Sequence, residues 1–524
     1  MKSRSSIYSV KKKSSLPEVP DPDKVSACIQ PRYLISTLLF ISIILFSAQH
    51  VVASDSVRTA VNTESPAVTQ QIYDIIGGTQ ASNAVWAVSV RDQSGRSIID
   101  IDASTLMRTA SNSKLFSAAG ILNGLGPDFT FTTRVYGDGE QIDNVWYGDI
   151  HIVGSGDPSI DKHFYDDDAL FVFNSLIDQL KEKGITRIQG DVFGNEHLFD
   201  DVRYPRGWEW DDLSFYYAPE ISALSFNRNC VDLTVRAAGQ PGDTPQITWF
   251  PFNTDYVNFL NEQLITPRNI PYNESYARLL GTNTIQLRST LPVGYLEKES
   301  LTISDPALFF IDTFVKQASY RNLDWVGELI VDNGLRPWNQ FALLAKHESE
   351  PVVKLLERVN RNSDNFYTEM LTKALAAYTY DSQGTTEGGL SLITEQLQSL
   401  GLDISQLNKR DASGMAGANL STAATVTDLL HRMMRSEHGD HWLETLAKAG
   451  YHGTMENRFI ESPALGNLYA KSGFISGVRS LSGYVTTSSG QTLSYSILTN
   501  NFTTRVATVD AAHERIINVL YSSF

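Results

Sequence analysis

The chain has 524 residues, enough for two or three domains with full hydrophobic cores, and a formal net charge of −16. A body this acidic repels polyanions, which argues against nucleic acid as a partner. Its two cysteines, Cys28 and Cys230, are too few for a disulfide framework.

Residues 1–53 are basic, with seven Lys or Arg against three Asp or Glu, so the remainder alone would stand at −20. An apolar run from Leu34 to Ala48 and the small residues Val51-Val52-Ala53 follow. This order describes a secretory signal with cleavage expected after Ala53. The run is short for a membrane span, which favours cleavage over the alternative of an uncleaved anchor and a peripheral membrane association. Cleavage would remove Cys28 and leave Cys230 alone, which a large core tolerates in an oxidising compartment.

Residues 54–84 read as a leader. Alternation over 85–92 and 97–102, around Gln93-Ser94-Gly95-Arg96, predicts a hairpin. Apolar positions Leu115, Ala118, Ala119, Leu122 and Leu125 predict a helix that begins at Ser111 and is stopped by Gly124-Leu125-Gly126-Pro127. From residue 129 the pattern changes to short strands, among them 130–136, 145–153, 185–193, 230–235 and 284–287, with one helix over 167–183. Helical periodicity returns over 307–317, 352–360, 366–377, 386–400 and 424–435. Strands over 468–474, 480–486 and 492–499 form a meander, and a helix over about 507–521 follows. The fold class is therefore α+β. Residues 54–128 and 303–524 form one domain with a shared antiparallel sheet, and 129–302 are a mostly β insertion of two subdomains.

Ser111 and Lys114 lie three apart, on one face of the predicted helix. A serine hydroxyl is a weak nucleophile until a base takes its proton, and a desolvated lysine is such a base. One copy of Ser-x-x-Lys is weak evidence, since Ser9-Val10-Lys11-Lys12 is another. Two further polar clusters follow: Ser363-Asp364-Asn365 between helical patterns, and Lys471-Ser472-Gly473 inside a strand pattern. Taken singly, the first is a helix cap and the second an edge-strand lysine. Together the three fit acyl transfer. Ser111 attacks a carbonyl, Lys114 takes its proton, and Ser363 passes a proton to the leaving amine. Asn365 holds the substrate backbone, while Lys471 and Ser472 suit a terminal carboxylate. The N–H groups of Ser111 and Phe474 suit an oxyanion, with Gly473 permitting close approach. His438 and His441 read as parts of a solvated loop, and no metal or organic cofactor is implied.

These clusters resemble the Ser-x-x-Lys, Ser-x-Asn and Lys-Thr/Ser-Gly motifs of the penicillin-recognising serine acyltransferases, which include penicillin-binding proteins and serine β-lactamases. The separation of 252 residues between Ser111 and Ser363 resembles the class C low-molecular-mass penicillin-binding proteins. So do Gly154-Ser-Gly-Asp-Pro158, Gly190-Asp-Val192, Gly207-Trp-Glu-Trp-Asp-Asp212, Ala223-Leu-Ser-Phe-Asn-Arg-Asn229, Asp411-Ala-Ser-Gly414 and Gly453-Thr454 with Arg458.

The resemblance implies a transpeptidase/β-lactamase-like domain and a D-alanyl-D-alanine carboxypeptidase or endopeptidase in the periplasm. It acts on peptidoglycan stem peptides and is acylated by β-lactams. It also places Arg458 with Ser472, Gly473 and Phe474 in the substrate-binding set. Three positions depart from the pattern. Ser472 stands for threonine, Gly417 for a common arginine, and Asn195 for an aspartate that meets a diamino-acid side chain, with Phe199 retained. Two rival readings are a β-lactamase, for which Glu387 lacks the surroundings of a deacylating base, and a silent wall-binding protein.

Overall fold

The computed structural model describes residues 65–524, so the signal expected over 1–53 lies outside the described residues. Apolar stretches from opposite parts of the chain meet in one six-stranded antiparallel sheet. Its order is Ser97–Ile101, Val85–Arg91, Thr492–Asn500, Val478–Thr486, Leu468–Ile475 and Ala447–Lys448. Val85 pairs with Asn500, and Val88 lies between Ile101 and Ile497. Helices cover both faces of this sheet, so Thr492–Asn500 is buried along nearly its whole length, and apart from Tyr495 and Asn500 its side chains are aliphatic or small hydroxyls.

One face carries Pro66–Gly77 and Val506–Ser523, which bury Ile72, Ile76, Ile516 and Ile517 against Trp86, Val88 and Ile497. Proline at the first helical position starts the former helix, since the missing N–H costs nothing there. The leader reading of 54–84 thus gives way from residue 66. The other face meets Ser113–Leu125, Val352–Arg361, Asn365–Tyr380, Thr386–Ser399, Ala423–Arg435 and Gly439–Thr445, around Phe116, Leu122, Tyr367, Leu371, Ile393 and Trp442. Each such side chain contributes about 1.5–3 kcal/mol by leaving water.

A third cluster belongs to the insertion. Its main sheet orders Asp324–Val326, Arg187–Gln189, Val145–Val153, Thr132–Ile142 and Ala342–Glu348, with Val192–Asn195 and Leu329–Val331 attached. Smaller sheets follow, one of Leu296–Thr302, Cys230–Arg236 and Gln246–Phe250, another of Asn258–Asn261, Thr284–Leu287 and Tyr276–Arg278. A single run of buried side chains, from Val135 and Phe173 to Leu287 and Phe310, joins them, so the two expected subdomains share one core.

The boundary after residue 302 also moves. Helix Pro306–Tyr320 buries Phe309, Phe310 and Phe314 in the insert's core, and Ala342–Glu348 pairs with Thr132–Ile142. The insertion therefore runs to about residue 349, and it contains helices as well as strands. The strand read over 185–193 is two short strands, Arg187–Gln189 and Val192–Asn195, which pair in parallel with Val145–Val153.

Candidate active site

Helix Ser113–Leu125 is buried from Ser113 to Leu122, so it is a core helix and not a surface amphipathic one. It stops at Gly126, whose φ of +84° is a conformation that glycine adopts without penalty. Ser111 sits just before it, in the 3₁₀ turn Ala110–Asn112. The sheet holds that turn: Ser480 Oγ donates to the carbonyl of Thr109 (2.8 Å), and Asn112 Nδ2 donates to Ser482 Oγ (2.5 Å). Ala110, just before the first motif, has φ of +46° and Ser363, which opens the second, has φ of +62°, so both carry left-handed backbone. For residues with a Cβ this costs on the order of 1–3 kcal/mol, which the surrounding packing must offset.

Lys114 is fully buried. Its Nζ donates to Ser111 Oγ (3.3 Å), Asn365 Oδ1 (2.5 Å) and the carbonyl of Ser413 (2.7 Å). Burial brings its ammonium down to about pH 8, against the pull of Asp411, Glu369 and Asp364. Lys471, also buried, donates to Ser363 Oγ (2.7 Å) and to the carbonyl of Ser472 (2.6 Å). Burial first, then the nearby cations Lys114 and Arg479, hold it well below the usual lysine range.

Ser472 Oγ donates to Thr454 Oγ1 (2.9 Å). A Cβ at Gly473 would stand 2.2 Å from Ser480 Oγ and 2.9 Å from the backbone N of Ser111, so glycine lets the strand approach the turn. Among the described residues, strand Ala447–Lys448 pairs with Tyr469 and Ala470 alone, so no strand covers the sheet edge beyond Lys471. The Phe474 side chain is half exposed, opposite Arg479.

Residues Ser111, Lys114, Ser363, Asn365, Lys471, Ser472 and Gly473 thus meet at the junction of helix, interhelical turn and strand. Arg458 does not join them. Its guanidinium pairs with Asp510 (3.1 Å) and Glu514 (3.0 Å) on Val506–Ser523, the helix behind the sheet, where Asp510 also holds Arg479. Its assignment to substrate binding is corrected: a basic residue near the motif in sequence faces the opposite layer.

With this geometry in place, the comparison with known families is decisive: residues 68–519 match the D-Ala-D-Ala carboxypeptidase 3 (S13) family. The chain belongs to that family. It is a serine D,D-peptidase. The S13 peptidase is 28% identical over 463 residues to the D-alanyl-D-alanine carboxypeptidase of Actinomadura sp. (strain R39), covering 86% of this chain and 84% of that one. It is 26% identical over 416 residues to the D-alanyl-D-alanine carboxypeptidase DacB of Haemophilus influenzae, covering 78% and 83%. The crystal structure of penicillin binding protein 4 (dacB) from Haemophilus influenzae superposes with a TM-score of 0.75 at 23% identity, covering 86% of this chain and 99% of that chain. The shared fold is the penicillin-recognising one.

Sequence reasoning missed Glu369 and named Asp364 and Asp411 only as members of motifs, without their roles. Glu369, one turn after Asn365 on the same helix, is fully buried and accepts from the N–H groups of Ala412 (3.0 Å) and Ser413 (2.8 Å). Burial, then the Asp411 charge, pushes its carboxyl up to about 7. Asp411 accepts from the N–H groups of Gly414 (2.7 Å) and Ala416 (2.8 Å) and from Trp208 Nε1 (2.9 Å). Together they fix the turn whose Ser413 carbonyl holds Lys114. Asp364 caps helix Asn365–Tyr380 and is held below the carboxylate range by Arg228 and Arg358, against burial. The i, i+4 spacing of Asn365 and Glu369 was the available signal.

One of the departures, Asn195, is explained by its surroundings. Asn195 donates to the carbonyls of Asp332 (2.8 Å) and Gly334 (3.0 Å), so its amide fastens the loop after Leu329–Val331. Phe199 is buried, with Lys373 Nζ 5.9 Å from its ring centre, and the space beside Gly417 is open. Glu387 is exposed and pairs with Arg206 at the surface (3.5 Å).

Proposed function

We propose that Ser111 is the acyl-forming nucleophile and that the substrate is the D-Ala-D-Ala end, or the crosslink, of a peptidoglycan stem peptide outside the cytoplasm, in the periplasm. The observation that carries this reading is Lys114. It is a fully buried amine 3.3 Å from Ser111 Oγ, brought down to about pH 8 by burial. A base near the operating pH is what proton transfer from a serine needs.

In this mechanism Ser111 Oγ attacks the carbonyl as its proton moves to Lys114 Nζ. The oxyanion lies between the N–H groups of Ser111 and Phe474, whose approach Gly473 permits. Ser363, bonded to Lys471, then relays that same proton from Lys114 to the departing amine of the terminal residue, which restores both Ser363 and the neutral Lys114. Lys471 and the Ser472–Thr454 hydroxyl pair receive that residue's carboxylate. Asn365 orders both ends, accepting from Lys114 and donating from Nδ2 to the carbonyl of Tyr217 (2.7 Å). Water then releases the acyl group. A Haemophilus influenzae relative has been solved in complex with a β-lactam, and we extend that recognition to this chain: penicillin acylates Ser111.

The test is the intact mass of the protein after brief exposure to benzylpenicillin, beside Ser111→Ala. A single stable adduct on the wild type alone is the expected result. An adduct on both would move the nucleophile elsewhere. Rapid turnover of the adduct would favour a β-lactamase, and no adduct on well-folded protein would favour a silent wall-binding protein.

A further inference from the structure

A second amine stands behind the nucleophile turn, unused by the acylation steps above. Lys409 precedes the Asp411–Gly414 turn in sequence. Its side chain is half-buried. Its Nζ donates to Ser113 Oγ (2.6 Å) and to the Ser113 carbonyl (3.2 Å). Ser113 is itself buried, begins the core helix and immediately precedes Lys114. Among the described residues no carboxylate forms an ion pair with Lys409. Burial, against the pull of Asp411 and Glu369, brings its ammonium down to about 8, so Lys409 is charged on the acid side of that value and titrates together with Lys114.

The charged groups that face Lys114 come from every element around it. Asp411 lies on the turn, Asp364 and Glu369 at the cap and on the first turns of Asn365–Tyr380, Lys471 on the sheet, and Lys409 behind Ser113. The three carboxylates favour a charged Lys114. The two lysines, with burial, oppose it. Lys409 meets the same two carboxylates, Asp411 and Glu369, so the two amines compete for one set of counter-charges.

We propose that Lys409 is a positioning residue for Lys114: it fixes the first helical turn through Ser113, and its charge keeps Lys114 in the proton-accepting form. This rests on the reading of Lys114 as the base for Ser111. A base works unprotonated, so acylation slows on the acid side of its titration. Deleting a neighbouring cation makes Lys114 easier to protonate, and the acid limb moves to higher pH.

The experiment measures second-order acylation rate constants for benzylpenicillin by intact mass, from about pH 5 to about pH 10, on the full chain. The variants are Lys409→Met, which removes the charge, and Lys409→Arg, which keeps it. Lys409→Gln replaces the methionine variant if that fails to fold. The expected result for the uncharged variant is an acid limb displaced upward by about half a pH unit, or about threefold slower acylation on the acid side, rejoining the wild type at alkaline pH. Arginine retains the wild-type limb. An uncharged variant whose limb superimposes on the wild type overturns the proposal. So does a uniform loss at all pH values in both variants, which marks Lys409 as structural only. A wild type that forms no adduct at Ser111 overturns the base reading itself, and is told apart because no profile exists to shift.

Discussion

The outer part of the chain and the insertion approach the site with different chemistry. Ser111, Lys114, Ser363, Asn365 and Lys471 all come from the outer part, from a turn, two helix starts and a strand. The insertion reaches the same place through Trp208, whose indole N–H donates to Asp411, and through Tyr217, whose carbonyl accepts from Asn365. One region supplies groups that transfer protons, and the other supplies partners that orient them. Arg228, also from the insertion, pairs with Asp364 (3.5 Å), so more than two hundred inserted residues are coupled to the reaction through hydrogen bonds from segment 207–217 and this ion pair.

Substitutions can break that comparison. Ser111→Ala is expected to lower peptide hydrolysis by on the order of a thousandfold or more, with the unfolding temperature unchanged; retained activity would sink the assignment of chemistry to the outer part. Ser363→Ala, which deletes the acceptor of Lys471, should slow acylation by about 10²–10⁴-fold, as measured with a chromogenic β-lactam. On the insertion side, Trp208→Phe leaves a buried carboxylate lobe one donor short, at a cost of about 1–3 kcal/mol. We expect a lower unfolding temperature and several-fold slower acylation, whereas Trp210→Ser, at a side chain 74% exposed, should change neither. Equal behaviour of the two tryptophan variants would mean that the insertion is a passenger.

The smallest effect sits at the joint between the regions, where Tyr367 and Tyr378 of the outer part donate to Asp161 and to the Ser155 carbonyl. Asp157 lies between those acceptors, and burial raises its carboxyl from 3.8 to about 6, against the Ser159 bonds that lower it. The folded chain therefore binds this proton more tightly than the unfolded chain. The stability contribution is complete below about pH 4 and falls as pH rises through about 6. Asp157→Asn keeps the acceptor for Ser159 and removes the titration. Its unfolding temperature should gain on that of the wild type between those pH values and run parallel above them; no change in the difference would refute the assignment.

Much of the outer part was legible because its patterns are local. The Ser111–Lys114 spacing survives the change from helix to 3₁₀ turn, and the helices from Val352 to Arg435 fall within three residues of their periodicity. The boundary at 302 was not legible. The apolar face of Pro306–Tyr320 looks the same whichever core it meets, and only pairing of Ala342–Glu348 with Thr132–Ile142 assigns the segment. Arg458 failed for a related reason: closeness to a motif in sequence carries no direction, and Asp510 and Glu514 decide where it points. Ser413 and Tyr217 act through carbonyls, which no residue type reveals.

The pairing of Val85 with Asn500 and of Trp86 with Thr499 has a consequence for synthesis. Strand Val85–Arg91 leaves the ribosome about four hundred residues before its second neighbour, Thr492–Asn500. The insertion's core closes once residue 348 is out, since its strands pair with one another. The turn that bears Ser111 has no strand beneath it until Val478–Thr486 arrives, because Ser480 and Ser482 hold it. A nascent chain stalled before that strand therefore carries a folded insertion and an unassembled nucleophile. Reactivity toward penicillin appears only with completion of the sheet, which makes a covalent penicillin label a clock for the final step of folding.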